Sequence, residues 1–212
     1  MPCYAFEGVR PVVHPTAFVH PTAVLIGDVH VGDGCLVGPH ASLRGDIGRL
    51  VMKAGSNVQD GCVVHVFPGR QCTIEEDGHV GHGAVLHGCT IGRNAMVGMN
   101  AVIMDDAVIG EEAFVAAMAF VKGREEVPPR TLVAGAPAKV VRELRDEEIG
   151  WKTEGTRIYQ HLARRYRATM QEVAPLPAAE ADRPTLPDVM YETKRARDER
   201  GAQPARDERG AG

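Results

Sequence analysis

Three histidines, His65, His82 and His87, are the residues of this chain whose type and spacing could do chemistry. Neutral imidazoles bind zinc and related divalent ions, and three of them leave a fourth coordination position open for water. A divalent ion lowers the pKa of that water to about 7, which provides hydroxide at neutral pH. One interpretation of the three histidines is therefore a hydrolytic metal centre. Surface histidines on turns are the plainer alternative, and the spacing alone does not decide between the two.

The histidines lie within a hydrophobic repeat that must position them. A period of six residues fits neither an α-helix nor an ordinary hairpin strand. It predicts a prism of short strands with one inward aliphatic residue on each side, glycine-tolerant corners and a core that forms when coils stack. Glycine follows the aliphatic residue at Gly32, Gly38, Gly92, Gly98 and Gly110. The aliphatic positions are Val13, Val19, Leu25, Val31, Val37 and Leu43, then Ile91, Val97, Ile103, Ile109, Val115 and Val121.

The repeat fixes how the three histidines can meet. Three sides of six residues stack equivalent positions every 18 residues, and His65 and His87 are 22 apart, with a turn-rich excursion at 67–71 to absorb the surplus. We expect these two side chains one above the other at the same corner. His82 precedes His87 by five residues, roughly 16 Å of extended chain, so it must serve a neighbouring subunit's metal. A three-sided prism therefore predicts a homotrimer with a metal at each interface.

Composition limits the classes of function. The net charge of −4 and the lack of a Lys/Arg run give no case for nucleic acid. The N-terminal segment lacks a signal-peptide pattern, and the apolar runs are too short to cross a bilayer, so we expect a cytoplasmic protein without membrane contact. Five scattered cysteines without a CxxC motif predict reduced thiols, with Cys35 and Cys62 in the core or at corners.

The chain divides into three predicted parts: a β-helix over 1–140 with the metal site, a helical segment over 141–174 that packs on it, and a mostly disordered tail over 175–212. We expect the coil stack itself to run from about 13 to 122 and to end near Pro128-Pro129, Gly135 and Pro137.

The helical pattern begins at Asp146, and Gly150 and Gly155 are expected to break it into two pieces. The two RDERGA copies in the tail are interpreted as solvated. The remaining histidines are expected on the surface: His14, His20, His30, His40, His79 and His161.

Four segments carry a resemblance to a known family: ASLRGD (41–46), NVQDGCVVH (57–65), GHGAVLHGCTIG (81–92) and VGMNAVIMD (97–105). They resemble the γ-class carbonic anhydrases, and the similarity extends from about residue 3 to 174. The resemblance implies an all-β solenoid, a left-handed parallel β-helix followed by a C-terminal α-helix. It also implies a trimer that binds Zn²⁺, or Fe²⁺ or Co²⁺, through three histidines shared between subunits.

The resemblance also implies roles for further residues. Arg44 and Asp60 match an ion pair across the subunit interface. Asp46 and Gln59 match polar residues beside the metal-bound water, and Gln59 could orient it. Asn57 matches another polar residue that lines the site. Tyr159, in the helical segment, matches a tyrosine placed near the metal, although it could equally be a helix residue that packs on the prism.

The nearest branch of this family is associated with phenylacetic acid degradation and carnitine metabolism, which implies an acyl-CoA thioesterase that uses metal-bound hydroxide. Ile47 stands where the best-studied carbonic anhydrases have a glutamate, and the excursion after His65 lacks their acidic proton shuttle. Both differences favour a thioester over CO₂ or bicarbonate as the substrate. Three alternatives stay open: a carbonic anhydrase, an accessory protein of carnitine metabolism, and a hexapeptide-repeat acyltransferase.

Overall fold

The structure is a computed structural model that describes residues 3–186. Over this range short strands are followed by one helix, α1, at Asp146–Thr169. The strands are β1 Cys3–Tyr4, β2 Val12–Val13, β3 Phe18–Val19, β4 Val24–Val31, β5 Leu36–Val37, β6 Ser42–Met52, β7 Asn57–Val58, β8 Val63–His65, β9 Gln71–Ile74, β10 His79–Val80, β11 Val85–His87, β12 Thr90–Ile91, β13 Met96–Val97, β14 Val102–Ile103, β15 Val108–Ile109, β16 Phe114–Val115, β17 Phe120–Val121, β18 Glu126–Val127, β19 Thr131–Gly135 and β20 Ala138–Glu143.

Parallel pairing of these strands builds a solenoid with three sides. Strand β6 turns an edge, since its beginning pairs with β8 and its end pairs with β9. The first side continues from β8 through β11 and β14 to β17, and the second from β9 through β12 and β15 to β18. The third side stacks β3, β5, β7, β10, β13, β16 and β19. The predicted β-solenoid with a C-terminal helix is confirmed.

The core is the inward face of the six-residue repeat. Eleven of the twelve aliphatic positions are buried, and Val13 is partly buried against them at the first coil. The small residues four positions later, such as Ala95 and Ala101, are also fully buried. A strand of two residues cannot bury an apolar face alone, so stacking between coils provides the stability. Cys35, Cys62, Cys72 and Cys89 are free, buried thiols, as the scattered spacing predicted for the first two.

The corners of the prism use two different devices. Left-handed backbone recurs every six residues at positions occupied by other residue types: Asn94, Asn100, Asp106, Glu112, Met118, Arg124 and Arg130. The glycines that follow the aliphatic positions serve close approach instead. A Cβ on Gly98 would lie 2.4 Å from the backbone nitrogen of Ala117 in the next coil.

The coil stack is longer than predicted. Strand β19, Thr131–Gly135, still stacks in parallel on β16, and only then does the chain reverse into the antiparallel β20. The predicted limit near residue 122 was therefore wrong, whereas the reversal at Gly135 and Pro137 confirms two of the residues that were predicted to end the stack. Pro128 and Pro129 lie on a corner between β18 and β19, where no strand N–H is required, so they do not interrupt the stack.

Helix α1 is one continuous helix, so the predicted break at Gly150 and Gly155 was wrong. Glycine costs about 1 kcal/mol in a helix interior, and packing on the prism offsets this cost. The helix contacts the third side, at β3, β5 and β7. Its apolar contacts form two groups: Tyr159, Leu162, Ala163 and Tyr166 with Phe18 and Leu36, and Ile149 with Leu144, Phe114, Met96 and Leu132.

A buried carboxylate anchors the beginning of this helix. Arg142 donates two hydrogen bonds of 2.8 Å to Glu148, and the backbone N–H of Arg145 donates a third of 3.2 Å. The hydrogen bonds from Arg142 lower the pKa of Glu148 to about 2, from an ordinary value of 4.5. A lowered carboxyl pKa contributes stability that is present above about pH 4.5 and is lost as the pH falls towards 2.

We expect Glu148→Gln to lower the free energy of unfolding by about 2 kcal/mol at pH 7. The difference from wild type should shrink as the pH falls from about 4.5 towards 2. Urea unfolding at fixed protein concentration measures both values. Glu147→Gln, at an exposed neighbouring position, is the control and should change little. An equal difference at pH 7 and at pH 3 would contradict this account.

The chain divides into two compact units, Met1–Val173 and Ala174–Gly212. The described part of the second unit, 174–186, is exposed and has neither helix nor strand. From residue 187 onward the predicted tail, with both RDERGA copies, lies outside the described residues. Across the described range, no helix is long and apolar enough to span a membrane.

Candidate metal centre

His65 and His87 end two neighbouring strands on the first side. Strands β8 and β11 pair in parallel with His65 directly opposite His87, which confirms the predicted stacking. The Nδ1 atom of His65 lies 3.2 Å from Nε2 of His87. Two nitrogens that bind the same tetrahedral zinc at 2.0–2.1 Å are about 3.3 Å apart. The two imidazoles are therefore spaced as two ligands of one ion would be.

The outer nitrogens of both rings meet carboxylates. Nδ1 of His87 donates to Asp105 Oδ1 at 2.6 Å, and Nε2 of His65 lies 3.0 Å from Asp46 Oδ1. Carboxylates in this position fix the tautomer of metal-binding histidines. When each outer nitrogen carries the proton, the two facing nitrogens present lone pairs to each other, which calls for a cation or a shared proton between them.

Arg44 adds positive charge beside this pair. Its Nη2 lies 3.0 Å from Nε2 of His65, and its Nε lies 3.3 Å from Asp46 Oδ2. A second protonation pattern is therefore available, in which Arg44 donates to Nε2 of His65 and Nδ1 of His65 donates to His87. Metal binding distinguishes the two patterns, because a ligand nitrogen cannot keep its proton.

His82 forms a third carboxylate–imidazole pair on the corner after β10. Its Nδ1 donates to Asp60 Oδ2 at 2.5 Å, which leaves Nε2 free to bind a ligand. The His82 side chain is 44% exposed, against 17% for His65 and 23% for His87. Each of the three predicted metal ligands therefore has a carboxylate partner within its own chain, and His82 presents the most accessible ring.

One chain does not complete a metal site. Within residues 3–186, no three His, Cys, Asp or Glu side chains are grouped so as to hold a metal ion. Sharing of the site between subunits and pairing of Arg44 with Asp60 across an interface both require a second copy, and both stay predictions. Within the chain, Arg44 pairs with Asp46 and Asp60 pairs with His82.

Three other predicted site residues form a separate cluster on the third side, beneath α1. Gln59 Nε2 donates to Asn57 Oδ1 at 3.1 Å and lies 2.7 Å from Nε2 of His79. The ring of Tyr159 packs edge-on against His79, with centroids 5.2 Å apart. The chain does not bring Gln59, Asn57 and Tyr159 to the His65–His87 pair, so their predicted place beside the metal depends on the neighbouring subunit.

His79 is not the surface turn residue that the sequence suggested, and that prediction was wrong. It begins β10 with its side chain on the outer face of the third side, which α1 covers through Thr156 and Tyr159. Burial lowers the pKa of His79 to about 3, and the positive charges of Lys152 and His82 act in the same direction. The imidazole is therefore neutral at physiological pH.

Sequence reasoning missed two residues beside the histidine pair. Asp105 follows His87 by 18 residues, which is one coil, so the stacking rule could have placed it against His87. Phe67 packs edge-on against His87, with ring centroids 4.7 Å apart. Phe67 belongs to the irregular excursion, where the repeat gives no register to identify it.

A cleft opens beside the same pair. It has a volume of about 410 Å³ and is lined by Phe67, Arg70, Asp105, Asp106, Gly123 and Arg124. Asp105 holds His87, and Arg70 lies 3.6 Å from Asp106. Among the described residues, no carboxylate lies within ion-pair distance of Arg124, and the two arginines and two aspartates of the lining balance in formal charge. A small polar substrate could reach the histidines from this side.

Comparison with known proteins identifies relatives over most of the chain. The family model for the bacterial transferase hexapeptide (six repeats) matches residues 10–45 and 88–123. The carnitine operon protein CaiE of Citrobacter koseri is 58% identical over 186 residues, which cover 88% of this chain and 94% of the relative. CaiE of Salmonella typhimurium has the same identity and coverage.

Two solved structures share the fold. A protein described as a putative acetyltransferase from Bacillus cereus is 34% identical, with a TM-score of 0.77, and the match covers 78% of this chain and 96% of that one. A hexapeptide transferase family protein from Anaplasma phagocytophilum is 37% identical, with a TM-score of 0.74 and coverage of 78% and 98%.

Proposed function

We propose that this chain, which belongs to the hexapeptide-repeat family of the carnitine operon protein CaiE, is a metal-dependent hydrolase of acyl-CoA thioesters that acts as a homotrimer. The observation that supports it most is the set of three carboxylate–imidazole pairs: His65 with Asp46, His87 with Asp105, and His82 with Asp60. A histidine that serves only packing does not require an oriented ring, whereas a metal ligand does.

An exposed apolar surface beside the histidines supports the proposed trimer. An outward column on the first side joins Val63, Val85, Val102 and Phe120 in register. Val63 is 41% exposed and Phe120 is 37% exposed. Exposed apolar columns of this kind mark interaction surfaces, and three copies related by a three-fold axis would cover it. Because His65 and His87 end two of these strands, the same contact would bring a partner's His82 towards them.

The chemistry follows from the residues of the centre. The three imidazoles would hold a divalent ion, Zn²⁺ or else Fe²⁺ or Co²⁺, which would act as a Lewis acid and lower the pKa of water to about 7. Asp46 and Asp105 keep the rings in the ligand orientation. Arg44 adds positive charge where the carbonyl oxygen of a thioester would become negative. In the cleft, Arg124 is the arginine without a carboxylate partner among the described residues, and we propose that it pairs with the anionic part of a coenzyme A ester.

A second candidate is a CoA-dependent acyltransferase, which the solved relative described as a putative acetyltransferase favours. An acyl transfer of this kind needs a general base and an acceptor but no bound metal. The names of the CaiE relatives place them in a carnitine operon, which favours the carnitine alternative over phenylacetate. If the chain instead has an accessory role beside a carnitine enzyme, its effect on that enzyme should persist after the three histidines are replaced.

Metal removal tests the proposal. We expect thiol release from short acyl-CoA esters to fall at least about 100-fold after chelation and to return when Zn²⁺ or Co²⁺ is added. Undiminished turnover by the fully metal-free protein would overturn the hydrolase. Transfer of the acyl group to an added amine without metal would favour the acyltransferase. Stopped-flow CO₂ hydration with the same metal forms tests the carbonic anhydrase alternative.

A further inference from the structure

A polar cluster interrupts the apolar contact between helix α1 and the third side. The outward column beneath the helix has Phe18 and Leu36 at one end and Met96, Phe114 and Leu132 at the other. Between them, in register, lie Asn57 and His79. An apolar pair would satisfy packing here at lower desolvation cost, so these two polar residues need another explanation.

The shortest hydrogen bond in this cluster orients one amide. Gln59 uses its two Nε2 protons on Asn57 Oδ1, at 3.1 Å, and on His79 Nε2, at 2.7 Å. The 2.7 Å contact with Gln59 is the shortest of these contacts to the ring, so we place the acceptor at His79 Nε2 and the ring proton on Nδ1. Asn57 Nδ2, 3.3 Å from Nδ1, does not donate to it in this arrangement. Thr156 Oγ1, 3.4 Å from Nδ1, is the acceptor on the helix. The neutral ring of His79 fits this arrangement, since an imidazolium has no acceptor.

The opposite end of the Gln59 amide is left available. Among residues 3–186, no donor reaches Oε1 of Gln59, and this oxygen is not sealed from solvent. Asp60, the next residue, holds His82. The backbone joins the two corners as well, because Gln59 N–H donates to Val80 O at 3.0 Å and Gly83 N–H donates to Asp60 O at 2.9 Å. His79, Gln59, Asp60 and His82 therefore form one connected unit.

We propose that His79 is a positioning residue that fixes the Gln59 amide so that Oε1, and not Nε2, faces the centre that His82 completes. Helix α1 holds His79 in turn, through Thr156 and the ring of Tyr159. An acceptor at that position receives a proton of a water molecule and orients its lone pair towards the substrate. The reversed amide would present a donor and compete for that lone pair. This inference rests on the proposed function for its purpose, although not for its geometry.

Polar contacts on both sides of the cluster hold helix α1 in register with the third side. Lys152 is 2% exposed, and its ammonium group donates to Asp77 O and to Asn94 Oδ1, both at 2.7 Å. Gln160 donates to Gly55 O at 3.1 Å and to Asp77 Oδ1 at 2.7 Å. These contacts flank Thr156 and Tyr159 along the helix. A shift of the helix by one turn would break all of these hydrogen bonds. They therefore hold Thr156 and Tyr159 at a defined position against His79.

The first test reads the ring of His79 directly and needs no metal. In ¹⁵N-histidine-labelled full-length protein, we expect His79 to show the neutral Nδ1–H tautomer from pH 5.5 to 8. Gln59→Leu should shift the Nε2 resonance, because it removes the donor. An Nε2–H tautomer, or protonation of His79 within this range, would overturn the inference whether or not the protein binds metal.

The second test separates positioning from packing. His79→Leu should keep the Co²⁺ content of wild type while its visible Co²⁺ spectrum changes, and kcat for thioester hydrolysis should fall about 10-fold with little change in KM. His79→Gln, which can return an acceptor to Gln59, should recover most of kcat. Met96→Leu, on the next rung of the column, is the apolar control and should match wild type.

Three outcomes of this test would count against positioning. Wild-type kcat in His79→Leu would overturn it, and so would an equal loss of kcat in Met96→Leu, which would indicate packing alone. A His79→Gln variant no better than His79→Leu would do the same. If wild-type protein binds no Co²⁺, the proposed function fails, and the tautomer measurement alone then decides whether the His79–Gln59 contact exists.

Discussion

In the proposed trimer, protein in which every subunit carries His82→Ala is expected to keep less than about one tenth of the wild-type divalent metal, since one of three ligands is lost. His87→Ala should do the same. The informative sample is the mixture. If His82 serves a neighbour's His65–His87 pair, a His82→Ala subunit beside a His87→Ala subunit rebuilds one complete site. Random trimers of the two variants should then recover metal at about a quarter of the interfaces.

Metal content per subunit in anaerobically purified protein measures this recovery, and the two variants are mixed by co-expression. His161→Ala, which removes an exposed histidine of helix α1, is the control and should keep full metal content. Recovery of no metal by mixed trimers would contradict the shared site. Full metal content in His82→Ala would remove His82 from the centre altogether, and metal-free wild-type trimers would move the acyltransferase or accessory role to the front.

Gly98→Ala is expected to destabilise the protein by about 3 kcal/mol, near the upper end for overpacking. The added Cβ would lie 2.4 Å from Ala117 N and 2.7 Å from Ala116 C, both of them backbone atoms of the next coil. Backbone cannot rotate away as the end of a flexible side chain can, so the two coils must separate. Because each coil is held only by its neighbours, the cost falls directly on the stack. Urea unfolding at fixed protein concentration measures this cost.

Gly150→Ala is the matched control, because it adds the same methyl group where nothing lies within 4 Å. In the interior of α1 this change should stabilise the protein by about 0.5–1 kcal/mol. The two substitutions are therefore expected to have opposite signs. If both substitutions changed the free energy of unfolding equally, the narrow space between the coils would not be the reason for glycine at position 98. Its effect would then come from backbone conformation or from the unfolded state.

The sequence by itself determined the solenoid and the stacked histidine pair. A six-residue period admits one inward position per side, so the core residues follow from counting. His65 and His87 followed from the same count, once the excursion at 67–71 absorbed the surplus. The count would also have placed Asp105 one coil beyond His87. Regular stacking makes long-range contacts readable as intervals along the chain.

Only the tertiary structure decided the features that do not follow from the six-residue count. The limit near residue 122 was misjudged because Pro128 and Pro129 are harmless at a corner. The helix stayed whole because packing outweighs the propensity of Gly150 and Gly155. His79 is a surface position on the repeat, and only the cover of α1, 77 residues away at Thr156, partly buries it and keeps its imidazole neutral. Contacts between the helix and the prism have no fixed interval, so the sequence carries no period from which to derive them.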